Sequence, residues 1–171
     1  MGCTSSSPAG GTSPSQTSGI QDEARSFRSK QGAIKMLTKN KFSREALKAY
    51  LEKSGKVEIL NCYQDLEEIR QLTDDQASTR AMALVWRYKA QFETAKVLRE
   101  NKPKNVEIVV WNCLGRLRTI DTDPPGREGL IRLIVSAQND LLSKLIIPFE
   151  GFLQSKEYKS WQEAQVADER A

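Results

Sequence analysis

The apolar positions of this chain follow a helical periodicity from about Gly32 to Trp161. Apolar side chains recur every three or four residues, the spacing that places them on one face of an α-helix. No segment keeps the sustained alternation of apolar and polar residues that is typical of a half-buried strand. The pattern predicts an all-α fold, a bundle of about seven to nine helices joined by short connections.

Three predicted helices open the bundle. The stretch "GAIKMLTKN" suits a short helix, because Ile34 and Leu37 lie three residues apart. In "FSREALKAYLEKSG", Ser43 is the candidate N-cap of a helix and Gly55 is its candidate C-terminal stop. The stretch "VEILNCYQDLEEIRQL" repeats its apolar residues along one face and predicts the third helix.

The longest predicted helix begins at Asp74 and Asp75, acidic residues that favour a helix N-terminus, and ends at "NKPKN". The next stretch, "VEIVVWNCLGRLRTI", could be a strand in its first half, but its apolar residues recur at helical spacing and favour a helix. The stretch "LIRLIVSAQNDLLSKLII" is apolar nearly all round, which predicts a central helix that stops at Pro148. A short helix and a last turn are expected after it.

Composition narrows the class of protein. The 171 residues suit one domain plus a tail, and no run approaches the roughly 20 apolar residues of a membrane-spanning helix. No apolar stretch of a secretory signal follows the N-terminus, so an intracellular protein is expected. The chain has no histidine, which removes imidazole-based catalysis, and its 3 cysteines lack the CxxC spacing of a zinc site. We therefore expect neither an enzyme nor a bound metal or cofactor.

The excess of positive charge is concentrated in one part of the chain. Residues 25–48 carry eight Lys or Arg residues against Glu45 alone, whereas residues 1–21 carry no charge. Those first residues are rich in Ser, Thr, Gly and Pro and cannot bury enough apolar surface to fold, so they are predicted to be disordered. A nucleic-acid-binding protein more often spreads its cations over a folded face, so no nucleic-acid partner is expected.

The first residues, Met-Gly-Cys, carry a candidate lipid anchor. The pattern M-G-x-x-x-[ST] of N-myristoylation is met by Gly2 and Ser6, and Cys3 beside the glycine is a candidate for palmitoylation. One myristoyl chain binds a membrane only marginally, so the second signal would come from Cys3 and from the attraction of residues 25–48 to anionic lipid. We expect a lipid-anchored protein on the cytoplasmic face of a membrane, in particular the plasma membrane. The alternative is a chance Met-Gly-Cys on an ordinary disordered terminus.

Two stretches resemble parts of the regulator of G-protein signalling (RGS) domain, an all-helical module. The first, "ALKAYLEKSGKVEILNCYQDLEEIRQL", resembles the family's F-x-x-F/Y-L pattern through Leu47, Tyr50 and Leu51. The second, "FEGFLQSKEYKSW", resembles the closing signature aromatic-x-x-F-L-x-S-x-x-Y through Phe149, Phe152, Leu153, Ser155 and Tyr158. The stretches stand in the family's order and at a suitable separation. The matched residues are also ones that any helical core needs, so they indicate a fold and not an activity.

The resemblance implies a regulator that binds a GTP-bound Gα subunit and accelerates its GTP hydrolysis by stabilising the switch regions. Gα would supply its own arginine and glutamine, so the regulator contributes no general base. The residues matched to the family's Gα contacts are Glu58, Asn105 and Leu145, and Asn105 would place the Gα glutamine. From the residues alone, Asn105 could instead cap the helix that follows it, and Glu58 could be a solvated helix residue.

Four positions depart from the family's contact residues. Ile59 stands where the family has Asn, and Ile147, Pro148 and Gly151 stand where Asp, Ser and Arg are expected, in an alignment that needs a one-residue gap. Replacing a polar contact by an apolar one removes hydrogen bonds to the partner. The alternative function is therefore a membrane-anchored scaffold that keeps the RGS fold without accelerating GTP hydrolysis.

The sequence thus predicts three parts. A disordered acylated tail and basic linker occupy residues 1–31, an RGS-like domain occupies residues 32–162, and a polar C-terminal tail occupies residues 163–171.

Overall fold

The computed structural model describes residues 29–97 and 106–168. Within these ranges all regular structure is helical, which confirms the all-α prediction for this part of the chain. The elements are α1 (29–39), α2 (Lys41–Lys53), α3 (Val57–Arg70), α4 (Asp74–Val97), α5 (Val106–Leu114), a 3₁₀ helix (Gly115–Asp121), α6 (Arg127–Leu153) and α7 (Lys156–Asp168).

Several predictions fall outside the described residues. They are the disorder of residues 1–21, the acylation of Gly2 and Cys3, and both roles considered for Asn105. Within the two described ranges, none of the helices combines the length and the apolar character needed to span a lipid bilayer.

Helix α6 lies at the centre of the bundle. It packs most extensively against α3 and also contacts α2, α5, α7 and the 3₁₀ helix. Its inward side chains are almost entirely removed from solvent, among them Leu130, Ile134, Leu141, Leu142, Leu145, Phe149 and Phe152. The other helices each add one apolar stripe to this core, so the predicted central helix is confirmed.

The predicted end of that helix is wrong, because α6 continues through Pro148 to Leu153. A proline inside a helix removes one backbone hydrogen bond and clashes with the preceding turn, at a cost of about 3 kcal/mol. Here Phe149 and Phe152 follow the proline and are both buried in the core. Their burial offsets that cost, since each buried aromatic side chain contributes about 1.5–3 kcal/mol.

Asn40 separates α1 from α2 with an extended backbone (φ −86°, ψ 129°). Its Oδ1 accepts hydrogen bonds from the N–H groups of Phe42 (2.9 Å) and Ser43 (3.4 Å), so the N-cap of α2 is Asn40 and not the predicted Ser43. Ser43 is buried, and its hydroxyl donates to the carbonyl oxygen of Leu37 near the end of α1 (2.6 Å). Two polar side chains therefore join the end of one helix to the start of the next.

The predicted stop of α2 at Gly55 is confirmed. Gly55 adopts a left-handed backbone conformation (φ 67°), and its N–H donates to the carbonyl oxygen of Glu52 (3.1 Å). The N–H of Lys56 donates to the carbonyl oxygen of Leu51 (2.9 Å). This pair of bonds is the Schellman motif, which satisfies the last carbonyl groups of the helix and favours glycine at the left-handed position.

Other helix ends differ from the predicted boundaries. The helix predicted after "NKPKN" forms over Val106–Leu114 and then tightens into the 3₁₀ helix. Helix α7 continues to Asp168, so residues 163–168 of the predicted polar tail are helical. Helix α1 already includes residue 29, three residues before the predicted start of the domain. Local packing of the terminal turns decides such boundaries more than periodicity does.

Candidate functional site

Helices α3 to α6 run alternately up and down the bundle. Asp65 of α3 forms an ion pair with Arg87 of α4, and Phe92 of α4 stacks on Trp111 of α5 with ring centroids 5.6 Å apart. Cys113 of α5 lies near Lys144 and Asp140 of α6. The start of α3, the end of α4, the start of α5 and the last third of α6 therefore meet at one end of the bundle, which we call the α3 start end.

Glu58 lies in the first turn of α3, at the α3 start end. Its side chain is half-buried, and Oε1 accepts a hydrogen bond from Nδ2 of Asn61 (3.0 Å). A carboxylate in the first turn also interacts favourably with the positive end of the helix dipole. Glu58 thus has a local structural role, and its exposed part stays available to a partner.

Leu145 does not present its side chain at this end. It is 1% exposed and belongs to the apolar core. A role of Leu145 at a partner surface would have to act through its neighbours, because its own atoms are covered. Two residues further along α6, Ile147 is 76% exposed and does lie on the surface.

Asn105 directly precedes Val106, the first residue of α5, and lies outside the described residues. The helices on either side of Asn105 in the sequence are α4 and α5. The end of α4 and the start of α5 both belong to the α3 start end.

The four departures from the RGS contact residues have different structural reasons. Ile59 is buried in the core, where an asparagine would have to bury its amide group. Gly151 packs against Tyr50, and a methyl group at residue 151 would overlap the hydroxyl oxygen and lie 3.3 Å from Cζ. An arginine has no room there. Pro148 is buried in α6, so Ile147 is the only one of the four that is exposed.

Three buried titratable groups lie in the core between α3, α4 and α5, and one of them, Tyr88, interacts with Glu58. Burial raises the pKa of the Cys62 thiol and of the Tyr88 hydroxyl well above their usual ranges. Burial also raises the pKa of Cys113 to about 11, although the charge of Lys144 acts in the opposite direction. Both thiols are therefore neutral at physiological pH and are poor nucleophiles. Among the described residues, no group of three or more Cys, Asp or Glu side chains could hold a metal ion.

A second feature lies at the other end of α2, where α1 and α2 meet. We call residues 35–42 the α1–α2 corner. A cleft of about 670 Å³ opens beside it, with Lys35, Lys39 and Arg44 on one side and Glu67 and Gln138 on the other. Sequence reasoning identified the cations of this region but not their arrangement around a cleft.

The floor of that cleft is a closed hydrogen-bond network. Gln138 is buried, and its Nε2 donates to a carboxylate oxygen of Glu67 (2.9 Å). Its Oε1 accepts from Arg70 (3.3 Å), which also forms an ion pair with Glu67 (2.9 Å). Glu67 thus forms its ion pair with Arg70 and not with Lys35 or Lys39.

Comparison of the chain with protein-family models, with curated protein sequences and with solved structures finds no match. A functional assignment therefore depends on the residues of this chain and on their geometry.

Proposed function

We propose that this chain is a membrane-tethered regulator of heterotrimeric G-protein signalling, which binds GTP-bound Gα and accelerates its GTP hydrolysis. One observation carries the proposal. The segment around Glu58, the start of α5 directly after Asn105 in the sequence, and the last third of α6 all belong to the α3 start end of an all-helical bundle. A single partner could contact all three at once.

The mechanism requires no chemistry from this chain. Hydrolysis on Gα depends on how its switch regions hold the attacking water and the transferring phosphoryl group. A protein that binds the switch regions more tightly in their transition-state arrangement than in their ground-state arrangement lowers the barrier. Asn105 and Glu58 would supply polar contacts to those regions. The neutral, buried Cys62 and Cys113 are consistent with a purely non-covalent role.

The test is single-turnover GTP hydrolysis by Gα subunits of the source organism, with and without the full chain. We expect wild type to accelerate hydrolysis and Asn105→Ala to abolish the acceleration while the helical content stays unchanged. The matched control is Asn112→Ala, an exposed asparagine on α5. Acceleration by Asn105→Ala equal to that of wild type would remove Asn105 from the site.

The second candidate function is a membrane-anchored scaffold that binds without accelerating hydrolysis. Ile147 favours it, because an exposed apolar side chain occupies a position where the RGS pattern has an acidic contact. Binding of Gα in its transition-state form, with GDP and aluminium fluoride, separates the two functions. A scaffold would not prefer that form over the GTP-bound form, whereas an accelerating regulator would.

The membrane part of the proposal depends on Gly2 and Cys3. Mass spectrometry of the native protein should find Gly2 myristoylated, and Gly2→Ala should release the protein from the membrane fraction. Gly10→Ala in the same tail is the control. An unmodified Gly2 in the native protein would contradict the lipid anchor.

A further inference from the structure

The α1–α2 corner exposes two large apolar side chains that the core does not use. Met36 is 68% exposed and Phe42 is 74% exposed, one on each side of Asn40. Neither residue belongs to the apolar stripe of its helix, where Ile34 and Leu47 are buried. A phenylalanine exposed to this extent contributes little to the apolar core of the folded chain.

Cations surround these two side chains. Lys35, Lys39 and Lys41 are all exposed at the corner, and none of them forms an ion pair with any described carboxylate. The acidic groups on the elements packed nearby are Glu45 of α2 and Glu67 and Glu68 of α3, which line the cleft together with Lys35 and Lys39. Residues 35–42 themselves carry three lysines and no acidic residue, with two exposed apolar side chains among them.

The corner is held in shape by side chains of its own. The Asn40 cap and the hydrogen bond from Ser43 to Leu37 fix the end of α1 and the start of α2. Thr38 adds a hydrogen bond from its hydroxyl to the carbonyl oxygen of Lys35 (2.9 Å). Since the backbone is fixed before any partner arrives, Met36 and Phe42 would need little ordering on binding.

We infer that the α1–α2 corner inserts Met36 and Phe42 into an anionic lipid bilayer while Lys35, Lys39 and Lys41 contact the headgroups. Lysine stems can lie along apolar lipid with their charged ends at the surface, and each lysine near an anionic leaflet adds attraction. A protein partner fits less well, because lysine is depleted at protein interfaces and two side chains bury little of the area that a stable interface needs.

This inference rests on the membrane contact in the proposed function, and it predicts how the domain is oriented on the membrane. The corner and the α3 start end lie at opposite ends of α2, which is about 20 Å long. A domain seated on the bilayer through its corner would therefore hold Glu58 away from the lipid surface.

The experiment uses the full chain carrying Gly2→Ala, so that no myristoyl group contributes to binding. Its partition onto vesicles of 30% phosphatidylserine and 70% phosphatidylcholine is measured by sedimentation. We expect Met36→Ser with Phe42→Ser to weaken the partition by about tenfold or more, because the loss of even one of the two inserted apolar side chains would weaken binding by roughly that factor. Vesicles of phosphatidylcholine alone should bind the parent chain far less.

Ile147→Ser is the matched control, because Ile147 is as exposed as Phe42 and lies at the other end of α1. That position follows from the ion pair of Lys30, near the start of α1, with Glu150, one turn beyond Ile147. We expect this control to bind vesicles as the parent does. Thermal unfolding by circular dichroism checks that all variants stay folded.

A spin label reports directly on depth. In a Cys3→Ser chain the remaining thiols, Cys62 and Cys113, are buried, so a nitroxide can be placed at residue 42 by Phe42→Cys or at residue 147 by Ile147→Cys. On vesicles the label at residue 42 should become accessible to oxygen and protected from a water-soluble nickel chelate, and the label at residue 147 should not.

Two results would overturn the inference. One is a double-serine variant that binds vesicles as tightly as its parent, and the other is a label at residue 42 that stays in water on bound protein. Either would mean that the corner is covered by something else, such as a protein or the N-terminal tail. Neither depends on Gα, so this inference can fail while GTPase acceleration succeeds, and the reverse is also possible.

Discussion

The two ends of α2 use apolar residues in opposite ways. At the α3 start end, Ile59 and Leu145 are buried, although both align with contact residues of the RGS pattern. At the α1–α2 corner, Met36 and Phe42 are exposed, although no motif marks them. The motif therefore identifies core positions in this chain, while the exposed surface chemistry must be read from the structure.

The difference also concerns how each end is held together. The α3 start end depends on close packing, with Gly151 against Tyr50 and α6 passing through Pro148 without a break. The corner depends on polar side chains, Asn40 and Ser43, that satisfy helix ends. Substitutions at the two ends should therefore differ in how much they lower the free energy of unfolding and in the type of interaction that they remove.

The largest loss of stability is expected at Leu145, which is buried in the core. Leu145→Ala should lower the free energy of unfolding by about 2–5 kcal/mol, because it leaves a cavity beside α3 and α5. Urea denaturation followed by circular dichroism measures the loss. Ile147→Ala, two residues along the same helix, should change the free energy by less than about 0.5 kcal/mol. Equal losses for the two variants would show that Leu145 is not a core residue.

A smaller loss of stability is expected at Gly151, which packs closely against Tyr50. Gly151→Ala should destabilise the fold by about 1–3 kcal/mol, because the new methyl group overlaps the hydroxyl oxygen of Tyr50. In a Tyr50→Phe background that oxygen is absent, so the same glycine substitution should cost clearly less. A double-mutant cycle of four unfolding curves tests this coupling. Additive losses in the free energy of unfolding would mean that a methyl group at residue 151 does not contact the hydroxyl group of Tyr50.

The smallest effect is expected at the corner. Asn40→Ala removes the N-cap of α2 and should lower the free energy of unfolding by about 1 kcal/mol. Asn112→Ala, an exposed asparagine inside α5, is the control and should be nearly neutral. If Asn40→Ala lowers the free energy of unfolding no more than the control does, the Asn40 cap does not fix the backbone that carries Phe42.

The sequence predicted local features well where one residue decides the conformation. Gly55 ends α2 because its left-handed backbone suits glycine, and Asp74 and Asp75 stand in the first turn of α4 as expected. The N-cap of α2 was missed, although Asn40 is as good a cap as Ser43 by residue type. The choice between them depended on Ser43 being needed in the interior, where its hydroxyl reaches Leu37.

The candidate site was less predictable than the fold. Periodicity identifies a stripe but gives no account of which end of a helix a partner can reach. Leu145 and Ile147 are two residues apart, and only their packing makes one a core residue and the other a surface residue. For Met36 and Phe42 a signal was present, since both fall outside their helical stripes and stand among lysines.

Periodicity, one left-handed glycine and composition were enough to predict that the described part of the chain is helical, that α2 stops at Gly55, and that positive charge is concentrated in residues 25–48. The tertiary structure was needed to show that α6 passes through Pro148, that a methyl group at residue 151 would overlap the hydroxyl oxygen of Tyr50, and that Phe42 is exposed. Each of these depends on tertiary packing. Burial of Phe149 and Phe152 in the core outweighs the cost of a proline, and Tyr50, which is distant in sequence, crowds residue 151.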